Sequence, residues 1–476
     1  MRLSVFLLGA FAWAVTSTPA AAQTAAQLAY RNAVTPPPAG WTGPVFRLSH
    51  NYPGNNPAGN PGACDPAVCK WLANQNVDFK ISLTGPPPAW NPAWNEYIQQ
   101  ILDYVKEGQD PALRNEIGWR VKVGGQTRWY HVPWMAYDPT RGREFVHGLT
   151  NERTAVLGDL TRHPEHAFGT NTLMVLPGAA NGPECSQKQF ETWAFGVYNP
   201  QGAWSIGQTW GIDAEPRIAN TGGVPTPAGL PFPEGTVVAK LLFTTATPDC
   251  VGYLKDSPVW QADRHVETNE GKFLCNRAVN EVRLVQLDVA VVDSRSPTRW
   301  VFGTFAYVDD AHNPNCRNGQ CKTFWDRLAP VGLQWGSDPW TFPAVPHGDS
   351  IPARESVLNH NTGAPQHFGC DGRLAGPVDN RMSSCLSCHG GGFASLSGQP
   401  GVATPPIFGF FDLCTNFSAS NTQYFNNILF PMAYTGGQYP NLLNMDTSLQ
   451  MQTAFFQYNQ FKQAGQPRAC VDGIGN

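Results

Sequence analysis

Charge is scarce in this chain of 476 residues: only 14% are Asp, Glu, Lys or Arg, against roughly 25% in ordinary soluble domains. The formal net charge is −4. No basic excess is present to hold nucleic acid or an anionic membrane surface, so neither is expected as a partner. Beyond the first 22 residues, no apolar run reaches the roughly 20 residues that span a bilayer. No transmembrane anchor is therefore expected once the leader is cut. The usual catalytic signatures are missing as well: there is no G-x-S-x-G, no H-E-x-x-H, no phosphate-binding loop and no dinucleotide fingerprint. No repeat of roughly 20–50 residues recurs, which excludes solenoids and propellers of regular units.

What is present begins with the leader. Arg2, an apolar stretch from Leu3 to Val15, and small residues ending Ala20-Ala21-Ala22 predict a secretory signal peptide cut before Gln23. That places the mature protein in the periplasm. The 12 cysteines suit an oxidising compartment. Two lie in the spacing Cys385-Leu-Ser-Cys388-His389. The other ten are even in number and read as disulfides. Cys64–Cys69 and Cys316–Cys321 enclose short loops with turn residues (Asp65-Pro66; Asn318-Gly319) that bring the sulfurs together. Cys250–Cys275 and Cys414–Cys470 are further expected pairs, which leaves Cys185 and Cys370 for each other.

Gly and Pro are abundant, at 47 and 42, and favour loops and β structure. Residues 23–118 read as an irregular segment with one amphipathic helix, Trp94 to Gly108, in which Tyr97, Ile101, Tyr104 and Val105 recur three or four apart. Residues 119–345 carry β-branched and aromatic runs at Glu191–Asn199, Trp204–Trp210, Thr236–Ala246, Val285–Val291 and Arg299–Val308. With no helices between them, these predict a mainly-β region, an antiparallel sandwich or jelly roll. A smaller domain of residues 346–476 follows. In its last segment Met451, Phe455 and Tyr458 share one helical face, and Leu442, Met445 and Leu449 form a second stripe.

The C-x-x-C-H spacing has a chemical reason. Two thiols about one helical turn apart can each bond one of the two vinyl groups on a haem edge, and the adjacent His389 then offers a nitrogen to iron. Gly390, Gly391 and Gly392 follow, and residues without Cβ let backbone approach a flat ring. The rival readings are a local Cys385–Cys388 disulfide and a redox-active dithiol. A second C-x-x-C-H is absent, which argues against a dihaem protein.

On CLSCH and the export leader, the C-terminal region resembles c-type cytochromes. The resemblance implies one covalent haem c held by Cys385 and Cys388, with His389 as proximal iron ligand, in a small, mostly helical and loop-rich haem domain. It also implies a distal Met in a downstream loop beside Pro, a role that Pro431-Met432 suits. Met445, Met451, His360, His367 and an open sixth position are the alternatives. Arg373 and Arg381 flank the motif, for haem propionates or for the surface. One departure stands out: HFGCDGRLAGPVDNRMSS before Cys385 is loop-like, where those cytochromes place a helix.

The β region offers one further stretch, Arg128 to Arg153, with His131, His147, Glu144, Glu152 and Arg143 among aromatics, and a possible metal pair at His163 and His166. Connector loops are the plainer reading of both. The expected function is single-electron transfer to a redox partner protein. The alternative is a haem c-dependent oxidoreductase acting on a small-molecule substrate held between the β region and an open iron.

Overall fold

The computed structural model describes residues 40, 49–54, 65, 67–80, 84–113, 119–135, 149–156, 160, 189–211, 215–221, 224–268, 272–338, 353–363, 369, 372–379, 384–395, 427, 442–464, 472 and 474–475. The leader, Met432, Arg143, Glu144, His147, His163, His166, His367, Arg381, Cys64, Cys185, Cys370, Cys414 and Cys470 lie outside these residues.

Antiparallel β-sheet is the main regular structure of the described chain. Strands β1 (Thr150–Val156), β2 (Gln189–Tyr198), β3 (Val237–Thr244), β4 (Val259–Glu267), β5 (Lys272–Val292), β6 (Trp300–Tyr307), β7 (Leu328–Gln334) and β8 (Ser356–Leu358) enter one nine-stranded sheet. Its main path runs β8-β7-β6-β5-β3-β2-β1. The 21-residue β5 outruns that path, and its first half pairs instead with β4 and with the C-terminal β11 (Ile474–Gly475). Strands β8 and β11 both come from beyond residue 345 yet bond into this sheet.

Two apolar clusters cover its faces. In the strand interiors, side chains alternate between faces: Leu241, Leu287, Val289, Phe305 and Leu333 join one cluster, while Ala290, Val292, Trp300 and Phe302 join the other. On the first face lies helix α1 (Pro92–Lys106), which buries Tyr97, Ile98, Ile101, Leu102 and Val105. The Asn91 side chain caps it by accepting from the Ala93 and Trp94 N–H groups. The expected helix is thus present. Trp94 stacks on Trp335 of the sheet, with ring centroids 4.8 Å apart and planes within 10°. The second face carries α2 (Pro200–Trp210) and α4 (Leu449–Ala464).

Helix α2 corrects the strand expected at Trp204–Trp210. Asn199 caps it through the Gly202 N–H, Pro200 occupies the first turn, and Ala203, Ile206 and Trp210 are buried three or four apart. The local alternation of bulky residues loses to these start signals and to that buried stripe. The C-terminal stripes are also revised. Met451 and Phe455 are buried on α4 as expected, but Leu442–Asn444 is a strand, β10, paired with β9 (Phe393–Ser395). Asp446 and Thr447, at φ of 48° and 67°, turn the chain between β10 and α4. Gly196 on β2 lies directly under the Gln450 amide of α4, which a Cβ there would displace.

Cys316–Cys321 is a disulfide with its Cα atoms 4.8 Å apart. Asp310 lies beside it, but the two sulfurs are bonded to each other and offer no thiolate to a metal. Cys69, Cys250 and Cys275 are also disulfide-bonded. The expected bridge between Cys250 and Cys275 is not among the described disulfides.

Candidate functional site

Residues Cys385–His389 form the one-turn helix α3, laid on the second face of the sheet. Its start is held by Gln334 at the end of β7. The Leu386 N–H, an unpaired donor of the first turn, donates to Gln334 Oε1 at 3.0 Å, and Gln334 Nε2 donates to the Ser384 hydroxyl at 3.1 Å. The Cys385 N–H donates to the Leu374 carbonyl at 3.0 Å. Leu386 and Ser387 are buried, whereas Cys385, Cys388 and His389 remain half-exposed.

Neither Cys385 nor Cys388 is disulfide-bonded, unlike every other described cysteine. The local-disulfide reading therefore fails. The electrostatics run against the dithiol reading. Desolvation pushes the Cys385 thiol well above its usual range, the Asp379 and Asp288 carboxyls push it further, and a hydrogen bond with Thr304 opposes them. Reactive dithiols need the reverse shift.

His389 is oriented by the turn before α4. Its Nδ1 lies 2.8 Å from the Thr447 carbonyl oxygen. A carbonyl can only accept, so Nδ1 carries the proton and Nε2 keeps its lone pair. Such a bond also fixes the ring and its tautomer in metal-ligating histidines. Desolvation lowers the His389 pKa to about 4, against the upward pull of Thr447, so the ring is neutral at ordinary pH. The Phe302 ring lies 4.7 Å away. Gly392 is needed for a different approach than expected: its Cβ would lie 3.1 Å from the Thr447 backbone, and its carbonyl accepts from the Met445 N–H at 2.8 Å. The glycine packs protein on protein here.

Beside Cys385 the sheet presents polar groups. Lys240, Asp288 and Thr304 are cross-strand neighbours on β3, β5 and β6. Asp288 accepts from Thr304 at 2.8 Å and from Gln286 Nε2 at 2.7 and 2.8 Å, and the same amide reaches Asp379 at 3.0 Å. Desolvation, and then the charge of Asp379, raise Asp288 well above the carboxylate range. Lys240 pairs with Glu152 at 2.7 Å. Alternation of Gln286 and Asp288 with Leu287 and Val289 was the available signal, but it reads as a solvent face until α3 is placed over it.

The remaining candidates separate. Arg373 does not face solvent: it is 1% exposed and ion-paired with Asp338 at 3.2 Å. Met445 and Met451 are buried in the apolar cluster that includes Leu386. His360 is exposed near the sheet edge. His131 is buried with its ring 5.6 Å from His50, while Glu152 pairs with Lys240, so the 128–153 stretch brings no metal set together among the described residues. Within residues 367–384, just ahead of the motif, the described residues contain no α-helix, as the loop-like sequence implied.

Behind α3, Ser387 and Ser337 hydroxyls at 3.5 Å lead to a buried acid pair, Asp338 and Glu355. The Glu355 carboxylate accepts from the Asp338 N–H at 2.6 Å and from Asn427 at 2.8 Å. Desolvation and the Asp338 charge raise its pKa to about 7 from 4.5. The folded state therefore binds this proton more tightly than the unfolded one. Its stabilising contribution is full below about pH 4.5 and is lost as pH rises toward about 7. Glu355→Gln should remove that dependence. Urea unfolding at about pH 5 and pH 8 should show wild type losing on the order of 3 kcal/mol relative to the variant. Parallel pH profiles would refute the assignment.

Compared with known proteins, the chain matches no protein-family model, no curated protein and no solved structure.

Proposed function

We propose that the chain is an exported, periplasmic monohaem c-type cytochrome that passes single electrons to or from a redox partner protein. The observation that carries this reading is the state of C-x-x-C-H: two unbridged thiols one turn apart, next to a neutral imidazole whose Nε2 is left free by Thr447. The donor set fits haem c. Cys385 and Cys388 would form the two thioethers, and His389 would supply the proximal nitrogen. When bound, the haem supplies a one-electron couple. The residues around it hold the imidazole in one tautomer, keep the Cys385 thiol protonated until it is attached, and exclude water behind α3. The C-terminal region serves in this reading as a cytochrome c-like unit, with Met432 as sixth ligand. No described helix is long and apolar enough to cross a membrane, in keeping with the absence of an anchor after leader cleavage.

The polar cluster of Asp288, Asp379 and Thr304 beside Cys385 favours a second reading, a haem c-dependent oxidoreductase acting on a bound small molecule. Carbon monoxide separates the two. The reduced holoprotein of a shuttle keeps its spectrum under carbon monoxide, and Met432→Ala then binds it and loses the low-spin form. Rapid binding by wild type would sink the simple shuttle. A Met432→Ala variant that stays low-spin would remove Met432.

A further inference from the structure

Strand β8 is the outer edge of the sheet, paired in register Gly332↔Leu358, Leu333↔Val357 and Gln334↔Ser356. Two bonds flank this ladder: the Trp335 N–H donates to the Glu355 carbonyl and the Asn359 N–H to the Val331 carbonyl, each at 2.8 Å. They fix its phase. In an antiparallel pair, residues alternate between bonding the neighbour and facing away from it. Residues 355, 357 and 359 bond β7, so Ser356 and Leu358 turn their N–H and C=O groups outward.

Ser356 and Leu358 both line an open groove of about 510 Å³ at this edge. Pro87, Pro88 and Trp90 supply another part of its lining. Prolines have no N–H to offer β8, so that segment does not close the edge as a strand. The Arg354 guanidinium donates to the Gly85 carbonyl at 2.6 Å and ties the 85–90 segment to the start of β8. The Ser356 hydroxyl is buried without a hydrogen-bond partner, in a residue 4% exposed. A buried hydroxyl in that condition is destabilising until something pairs with it. Among the described residues, no Asp, Glu, Lys or Arg lines the groove.

We propose that this groove docks an extended, uncharged segment of a partner protein, which adds to β8 as a further strand. Outward groups two residues apart repeat at about 6.8 Å, the spacing at which an incoming strand presents its own. Strand addition draws affinity from main-chain pairing and selectivity from side-chain pockets. The groove is lined by no residue of α3 and the inference does not depend on the haem reading. An open edge of this kind is otherwise an aggregation hazard.

The test passes a pool of blocked, uncharged hexapeptides over the immobilised full-length protein and identifies retained peptides by mass spectrometry. A subset should be retained saturably, and an otherwise identical pool with backbone N-methyl groups should not. Leu358→Pro removes one outward N–H and leaves the bonds to β7 intact, as proline is tolerated at a sheet edge. It should weaken retention about tenfold, the size of one hydrogen bond, while Leu358→Ala keeps it. Circular dichroism checks both folds, and if the proline variant misfolds the N-methyl comparison on wild type decides. Equal retention of the N-methylated pool, no retention at millimolar peptide, or displacement of the peptides by neutral oligosaccharide would overturn the proposal.

Discussion

Cys385→Ala together with Cys388→Ala will leave no haem on the polypeptide after denaturation. Haem staining of a denaturing gel should be lost completely, while each single variant keeps one thioether. Pyridine haemochrome spectra check the count, because each lost thioether restores one vinyl group and moves the band to longer wavelength. The expectation rests on two facts that reinforce each other. In a chain whose other described cysteines are oxidised in pairs, these two are left unbridged. The raised Cys385 pKa then keeps the thiol protonated, the form that adds its hydrogen as well as its sulfur across a vinyl bond. If Cys388→Ala still showed two thioethers, the attachment site would be elsewhere. His389→Ala should behave differently, retaining both thioethers and losing the low-spin spectrum, since the imidazole holds iron and not the porphyrin edge.

Arg373→Leu should destabilise the fold by about 3–5 kcal/mol, the usual result of leaving a buried ion without its partner. Arg373 and Asp338 are 1% and 0% exposed, and Glu355 lies on the same carboxylate cluster. Removing the guanidinium leaves two carboxyl groups facing each other without their cation. Asp338 still accepts from the Arg354 and Glu355 N–H groups at 2.9 and 3.0 Å, so part of its environment survives. Urea unfolding checks the magnitude. Haem attachment should be unchanged in the protein that folds. A propionate-binding arginine would behave in the opposite way, with a shifted potential and little loss of stability, and that outcome would restore one of the two roles read from sequence.

Legibility followed the range of the interactions concerned. Helix α1 was readable because its apolar spacing and its stop at Gly108 act within some fifteen residues. Most strands were readable from β-branched and aromatic runs, as at Trp300–Tyr307. Trp204–Trp210 was misread because bulky residues alternate there as in a strand, while Asn199-Pro200 ahead of them signals a helix start. The segment around Leu442 was misread because its spacing fits a helix, whereas its pairing with Phe393–Ser395 comes from nearly 50 residues away.

The haem reading itself needs only five consecutive residues, since thiol spacing and the next imidazole are local covalent geometry. Local chemistry of that kind is written in the chain. The supports of the site are not: Gln334 under the helix start, Thr447 on the imidazole, and Thr304 with Asp288 beside the thiol come from three separate regions. Gln334 and Thr447 act through hydrogen bonds of 3.0 and 2.8 Å. Thr304 and Asp288 act through a hydrogen bond and a charge beside Cys385. These contacts exist only after the sheet brings those regions together. The same holds for Arg373, whose flanking position suggested a propionate and whose burial gave it Asp338 instead. It holds as well for the open edge of β8, where the outward turn of Ser356 and Leu358 follows from the phase of a ladder. No pattern within the strand itself could specify that phase, because it is set by the partner strand.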